Sequence, residues 1–344
     1  SLQSCRSGEN STAENRTAPQ LERLLGGLGF RRTGRHRSKA VSRWQQGDIN
    51  LVVNADANGF AHAFEVTHGA GICAIGLKVD DAAAAMQRAG ALRDVPFHQA
   101  VEPGEIEIPA IRGVGGSLVY LVDEKPPLDR LWAHEFAAVD EDDPAGAGLT
   151  TIDHISQSMR YEEMLSWLLF YTSLIELSKL PEAMVLDPGG VVKSQVIQTA
   201  GGELRLVLNA SQSARTLSSR FLSEAFGSGV QHIAFATDDI FATAAALRRA
   251  GVATLAIPEN YYDDLETKTE LSLDEINRLK ASGILYEQDE CGEYLQIYTH
   301  AFDDRFFFEI VERRRAYQGF GASNAQIRLA AQTRIARDPA IPKL

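Results

Sequence analysis

The chain has 344 residues, 44% of them hydrophobic and 23% charged, a globular composition with length enough for two domains. Lys+Arg 34 against Asp+Glu 46 leaves a net charge of -12, which argues against nucleic acid or an anionic membrane surface as partner. Cys5, Cys73 and Cys291 are widely spaced and form no CxxC pair, so neither a disulfide framework nor a structural zinc site is expected, and a reducing, cytoplasmic compartment suits the chain. No apolar run reaches the roughly 18 residues of a membrane span.

Residues 1–18 are polar and lack the apolar stretch of a secretory signal; they read as a disordered tail. A helix is predicted over Pro19 to Leu28, with Pro near its start and Gly26-Gly27 near its end. Strands follow at Phe30 to His36, Val41 to Gln46 and Ile49 to Val53. The strand that the pattern places before that helix is not visible, and the tail stands in its place.

The second segment opens on the strand GICAIGLKVDD from Gly71, with a helix over Ala82 to Ala91 and a late strand over Ser117 to Val122. The third opens on TIDHISQSM from Thr151, followed by a helix over Tyr161 to Ser173 and strands at Lys193 to Gln198 and Glu203 to Leu208 around Gly201-Gly202. The fourth opens on GVQHIAFATDD from Gly229, with a helix over Ile240 to Ala250 and a late strand over Arg305 to Val311. The second and fourth openings superpose without a gap: Gly71 meets Gly229, Ile75 meets Ile233, and Asp80-Asp81 meet Asp238-Asp239. This is an internal repeat, so the two halves should share a fold. The acidic, Pro- and Gly-bearing stretch 140–148 is the boundary between them.

His154 on the third opening strand, His232 on the fourth and Glu309 on the last are the candidate metal ligands. Two imidazoles and a carboxylate make a facial triad that leaves positions open for a bidentate substrate and dioxygen. In the first half Ala74 stands where His232 does, and Tyr120 where Glu309 does, so that half is a scaffold without a metal. The plainer reading makes each His a core residue and pairs Glu309 with a nearby arginine. Glu309 resists it, because it interrupts the apolar run Phe306 to Val311 and a bare buried carboxylate is costly. His62 and His68 read as surface residues, Arg313 to Arg315 as a solvated turn, and 263–280 as a surface helix pair at the pocket mouth.

From about residue 20 to 330 the chain resembles the 4-hydroxyphenylpyruvate dioxygenases. The resemblance is carried by Arg35 to Asn54, Ile152 to Gln157, Gly229 to Ile240, Ile257 to Leu265, Glu293 to Thr299, Phe306 to Arg314 and GFGASN at Gly319 to Asn324. It implies a vicinal-oxygen-chelate fold of class α+β: four βαβββ modules in two half-barrel domains. The expected divisions are a tail (1–18), a metal-free domain (19–148), a metal-binding domain (149–323) and a gating helix with its tail (324–344). It implies one divalent metal, Fe(II) in the family, on His154, His232 and Glu309, although such a ligand set also accepts Mn, Co or Mg. The implied substrate is a small aromatic or cyclic keto acid, decarboxylated with dioxygen, in a homo-oligomer. Ser194, Asn209, Gln296 and Asn324 match substrate-side positions. Two positions depart from the family: Ser219 stands for a substrate-holding glutamine, and Ala325 for a phenylalanine that closes over the ring.

The chain also resembles the C-terminal half of bacterial 3-dehydroshikimate dehydratase fusions, with similar departures. There the dehydration belongs to a sugar-phosphate-isomerase-like barrel, fused or adjacent, and this half would be a metal-binding module. A metal-dependent lyase or isomerase on the same fold is the third reading.

Overall fold

Two sheets of the same strand order form the chain, and the helices pack around them. The computed structural model describes residues 2–4, 17–99, 101–139 and 146–336. The N-terminal sheet holds β1 (Leu2–Ser4), β2 (Arg31–His36), β3 (Val41–Gln46), β4 (Ile49–Asn54), β5 (Ile72–Lys78), β6 (Pro96–Phe97), β7 (Ala110–Arg112), β8 (Leu118–Val122) and β9 (Phe136–Ala138), with helices α1 (Thr17–Gly27), α2 (Gly59–His68), α3 (Ala82–Ala91) and α4 (Leu131–Glu135). The C-terminal sheet holds β10 (Leu149–Arg160), β11 (Ser178–Lys179), β12 (Ala183–Asp187), β13 (Gly190–Gln198), β14 (Arg205–Ser211), β15 (Gly229–Thr237), β16 (Leu285–Gln288), β17 (Gly292–Tyr298) and β18 (Phe307–Arg315). Its helices are α5 (Met164–Leu174), α6 (Leu217–Glu224), α7 (Ile240–Arg249), α8 (Glu259–Lys268), α9 (Leu273–Ser282) and α10 (Ala322–Ala336). Among the described residues no helix is long and apolar enough to cross a membrane.

The sheets run β6-β7-β8-β5-β1-β4-β3-β2-β9 and β16-β17-β18-β15-β10-β14-β13-β11, with β12 added to β13. The repeat read from the sequence is therefore a repeat of topology. In both halves the second opening strand pairs parallel to the late strand, Gly76 facing Tyr120 as Ala234 faces Glu309. The paired aspartates recur because each caps a helix: Asp81 accepts from the Ala84 amide, and Asp239 from those of Phe241 and Ala242. The capped helices lay apolar stripes on their sheets, through Ala82 and Ala89 in α3 and Ile240, Ala244 and Leu247 in α7. One apolar core joins the halves, with Phe30 of the first stacked edge-on against Phe235 of the second at 5.4 Å.

The missing strand is found inside the supposed tail. β1 runs parallel to β4 and antiparallel to β5, as β10 does to β14 and β15. A three-residue strand is too short to show periodicity, which is why residues 1–18 read as uniform tail; α1 also begins within it, at Thr17. Residues 5–16, most of the acidic linker (140–145) and the end of the gating tail (337–344) lie outside the described residues.

Other expectations are corrected. Arg313 to Arg315 are the end of β18, not a turn. His62 and His68 are half-buried on α2, and His68 Nδ1 lies 2.8 Å from the Ala225 carbonyl across the two halves. The helix pair α8 and α9 exists, but it buries Tyr261, Tyr262, Leu265, Ile276 and Leu279 in the core instead of lining the pocket mouth. Cys73 is disulfide-bonded, against the expectation of a bridge-free chain, and Cys291 is free and exposed.

Because β1 has a neighbour on each side, proline at Gln3 removes an amide from the middle of the ladder. The expected cost is about 2 kcal/mol of stability, read as a lower urea midpoint for Gln3→Pro, whereas a true tail would leave the midpoint unchanged.

Candidate metal centre

His154 lies on β10, His232 on β15 and Glu309 on β18, three adjacent strands of one sheet. Their ligating atoms lie within 4.8 Å of one another. Glu309 Oε2 stands 3.3 Å from Nε2 of each imidazole, and all three side chains are buried, Glu309 to 2% exposure. The rings meet edge to face at 5.5 Å, and His232 stacks on Phe307 at 4.8 Å.

Without a metal ion this arrangement balances its buried carboxylate with a proton. Burial disfavours the charged carboxylate, but the His154 charge and the hydrogen bonds from both histidines hold Glu309 well below the usual range. Burial alone would push His154 down; the Glu309 charge and the Asp153 hydrogen bond raise it to about 9. Burial dominates at His232, which falls to about 4. One imidazole thus takes a proton to balance the carboxylate and the other stays neutral. A divalent ion bound by two neutral imidazoles and a carboxylate would supply that positive charge instead, so the donor set fits a metal.

Around the triad, partners fix its orientation. Asp153 Oδ1 lies 2.8 Å from His154 Nδ1, leaving Nε2 to face Glu309. Neighbours on a regular strand point to opposite faces; the register shift between Ile152 and His154 lets these two meet. Arg313 holds Asp153 through two hydrogen bonds of 2.6 and 2.9 Å, and Arg205 lies at 3.5 Å. Asp153 is thereby kept ionised against its burial, well below the carboxylate range. A carboxylate placed in this way is what orients a metal-binding histidine, and the acidic neighbour of His154 in the sequence is its signal.

Glu309 is braced from the other side. Gln296 Nε2 donates to Glu309 Oε1 at 2.9 Å and to the Tyr298 hydroxyl at 2.7 Å. Asn324 Nδ2 donates to Gln296 Oε1 at 3.0 Å, and the Tyr261 hydroxyl donates to Asn324 Oδ1 at 3.1 Å. The start of α10 is so tied to the metal carboxylate. Gly321 makes this approach feasible: its φ is 70°, and a Cβ there would stand 2.3 Å from Gln296 Nε2.

The cavity beside the triad measures about 60 Å³. Ser194, Asn209 and Ala325 line it, whereas Gln296 and Asn324 act from behind Glu309. Asn209 Nδ2 donates to the Ser156 hydroxyl at 2.8 Å. Ser219 is the correction: its hydroxyl donates to the Ser213 carbonyl at 2.6 Å in the capping turn of α6, and its neighbour Ser218 faces the cavity. One residue along a helix is a rotation of about 100°, beyond what counting back along a sequence resolves. Sequence reasoning also missed Tyr298 and Arg328, both in the cavity wall. The Arg328 guanidinium lies 5.5 Å from the Tyr298 and Phe307 ring centroids and donates to Gln332. Among the described residues it has no carboxylate partner, unlike Arg313 and Arg205.

Asp153→Asn is expected to weaken divalent-metal affinity by about 10- to 100-fold, measured by anaerobic Fe(II) or Co(II) titration, while Ser219→Ala leaves affinity unchanged. Equal affinity for Asp153→Asn and the parent would contradict the orienting role.

Comparison with known proteins agrees with this architecture. Residues 10–136 match the family model for the N-terminal region of hydroxyphenylpyruvate dioxygenase, and residues 151–267 that of the glyoxalase/bleomycin resistance protein/dioxygenase superfamily. A 3-dehydroshikimate dehydratase of Pseudomonas aeruginosa is 43% identical over 319 residues, covering 92% of this chain and 50% of the relative. A 4-hydroxyphenylpyruvate dioxygenase of Legionella pneumophila is 33% identical over 310 residues, covering 89% and 88%. A solved fusion of a xylose isomerase-like TIM barrel with 4-hydroxyphenylpyruvate dioxygenase superposes with TM-score 0.85 at 40% identity, covering 98% of this chain and 52% of that one. The chain spans about half the length of the dehydratase and of the fusion. With its repeated half-barrels and its match along most of an authentic dioxygenase, the chain belongs to the 4-hydroxyphenylpyruvate dioxygenase family of the vicinal-oxygen-chelate fold.

Proposed function

We propose that the C-terminal half is a non-haem Fe(II) centre that decarboxylates an α-keto acid with dioxygen. The observation that carries this reading is the convergence of His154, His232 and Glu309 in a cavity whose wall includes Arg328, a cation with no carboxylate partner among the described residues. Bound iron would supply the redox chemistry that dioxygen requires of a partner. His154, His232 and Glu309 would hold it, Asp153 would keep the His154 Nδ1 proton so that Nε2 faces the ion, and Gln296 would keep Glu309 in place. Arg328 would draw an acid into the cavity, because a guanidinium pairs with carboxylates by charge and by geometry. The apolar side chains Val185, Val192 and Leu329 exclude water from that side.

A second reading has its own support. The chain lacks the aromatic side chain of the family at Ala325, its cavity of about 60 Å³ is well below the range of about 300–1,000 Å³ usual for small-molecule sites, and its 43%-identical relative is a dehydratase of which the match covers 50%. On that reading this is the metal-binding module of a 3-dehydroshikimate dehydratase whose dehydration resides in a separate barrel.

Oxygen consumption separates the two. With Fe(II) and a panel of arylpyruvates including 4-hydroxyphenylpyruvate, the oxygenase reading expects uptake that His232→Ala abolishes. One equivalent of metal with no uptake across the panel would favour the module. Arg328→Leu is expected to weaken keto-acid binding to the metal-loaded chain by about tenfold or more, the loss of a charge-assisted hydrogen bond. An unchanged isotherm would exclude Arg328 from acid recognition.

A further inference from the structure

The larger cavity lies in the half without the metal. The N-terminal sheet encloses about 420 Å³, within the range of about 300–1,000 Å³ usual for small-molecule sites. Its position is that of the metal centre in the other half: Ala74, the counterpart of His232, and Tyr120, the counterpart of Glu309, both line it. An alanine where the other half has an imidazole leaves space in the same hollow.

The lining holds two aromatic pairs, Phe60 with Phe97 at 5.2 Å and Trp132 with Phe136 at 5.6 Å, backed by Arg112 over the first pair and Arg43 over Trp132, and it is polar at one end. At that end His36, Glu105 and Glu135 bring ligating atoms within 4.8 Å of one another. Glu105 is already neutralised by Lys39 at 2.5 Å. Glu135 is not. It is buried, it receives the Ile106 amide at 2.6 Å, and its ion-pair contact among the described residues is His36 Nε2 at 3.2 Å. Burial and the Lys39 charge, the first of these the larger, keep His36 below its ordinary value, so it acts as a neutral donor. Lys39 is committed to Glu105, so the buried Glu135 carboxylate meets the hollow with a neutral imidazole beside it, and a bound cation would stabilise it there. Asp56, Glu102 and Glu107 on the lining add charge of the same sign. A bare metal ion suits the place poorly, since Lys39 already sits on one of the two carboxylates and the rings offer a metal nothing.

We propose that this hollow is a second binding site, for an organic amine whose apolar ring lies among Phe60, Phe97 and Trp132 and whose ammonium meets Glu135. The site is separate from the metal triad and does not depend on which reaction occurs there.

The test is calorimetric titration of the metal-loaded chain with 2-phenylethylamine and with 2-phenylethanol, which share a skeleton and differ in the charge. The amine is expected to bind once per chain and at least tenfold more tightly than the alcohol. Glu135→Gln, which keeps an acceptor for the Ile106 amide, should remove that preference. Ala74→Leu should weaken both probes by filling the hollow, with Val52→Met as the milder filling variant should Ala74→Leu not fold. Metal content at His154, His232 and Glu309 should stay at one ion in every variant that folds. No binding of the amine, equal binding of the two probes, or amine binding untouched by the filling variants would overturn the proposal.

Discussion

A carboxylate buried to 2% exposure in a strand of aromatic and aliphatic neighbours is the constraint on which the C-terminal half is built. Glu309 cannot be left bare in that medium, so its environment supplies donors from every side: His154 and His232 at Oε2 and Gln296 at Oε1. Each donor must in turn be held. Asp153 and Arg313 fix His154, and Asn324 and Tyr261 fix Gln296. The network reaches from β10 to α10, so Glu309 and the helix that covers the cavity form one mechanical unit.

The same sheet without that carboxylate shows what the constraint requires. Tyr120 and Ala74 replace Glu309 and His232 on strands of identical order and register, and no braced network is needed there. The strand that carries Gln296 has β7 as its counterpart, cut to Ala110–Arg112, and by register Gln296 corresponds to Ile108, before that strand begins. The half without the triad has the shorter strands and the more open interior, about 420 Å³ against about 60 Å³ beside His154, His232 and Glu309.

How much of this was legible follows from the physics of each signal. The triad was legible because polar residues at equivalent places in a repeat stand out against apolar strands. The helix over Ala82–Ala91 was read to the residue because Asp81 caps it. β1 was hidden because three residues carry no period, and its role comes wholly from its neighbours. α2 has no counterpart in the sequence reading, although Gly69 at φ 72° ends it before β5 begins at Ile72. Arg313 was misjudged because a run of arginines looks solvated one residue at a time; its partner Asp153 is distant in sequence, and only the pairing of β10, β15 and β18 brings them together.

Selectivity at the metal cavity then turns on α10. Ala325 and Arg328 are three residues apart and so share a helix face, and both line the cavity. A small residue followed one turn later by a cation presents charge where the family presents an aromatic ring. Arg328 rests against Tyr298, which lines the cavity, and against Phe307 behind it. A ligand entering here must either offer the guanidinium an anion or displace it from those rings. On the proposed reading, charge on the ligand, more than ring shape, is the property this pocket would select.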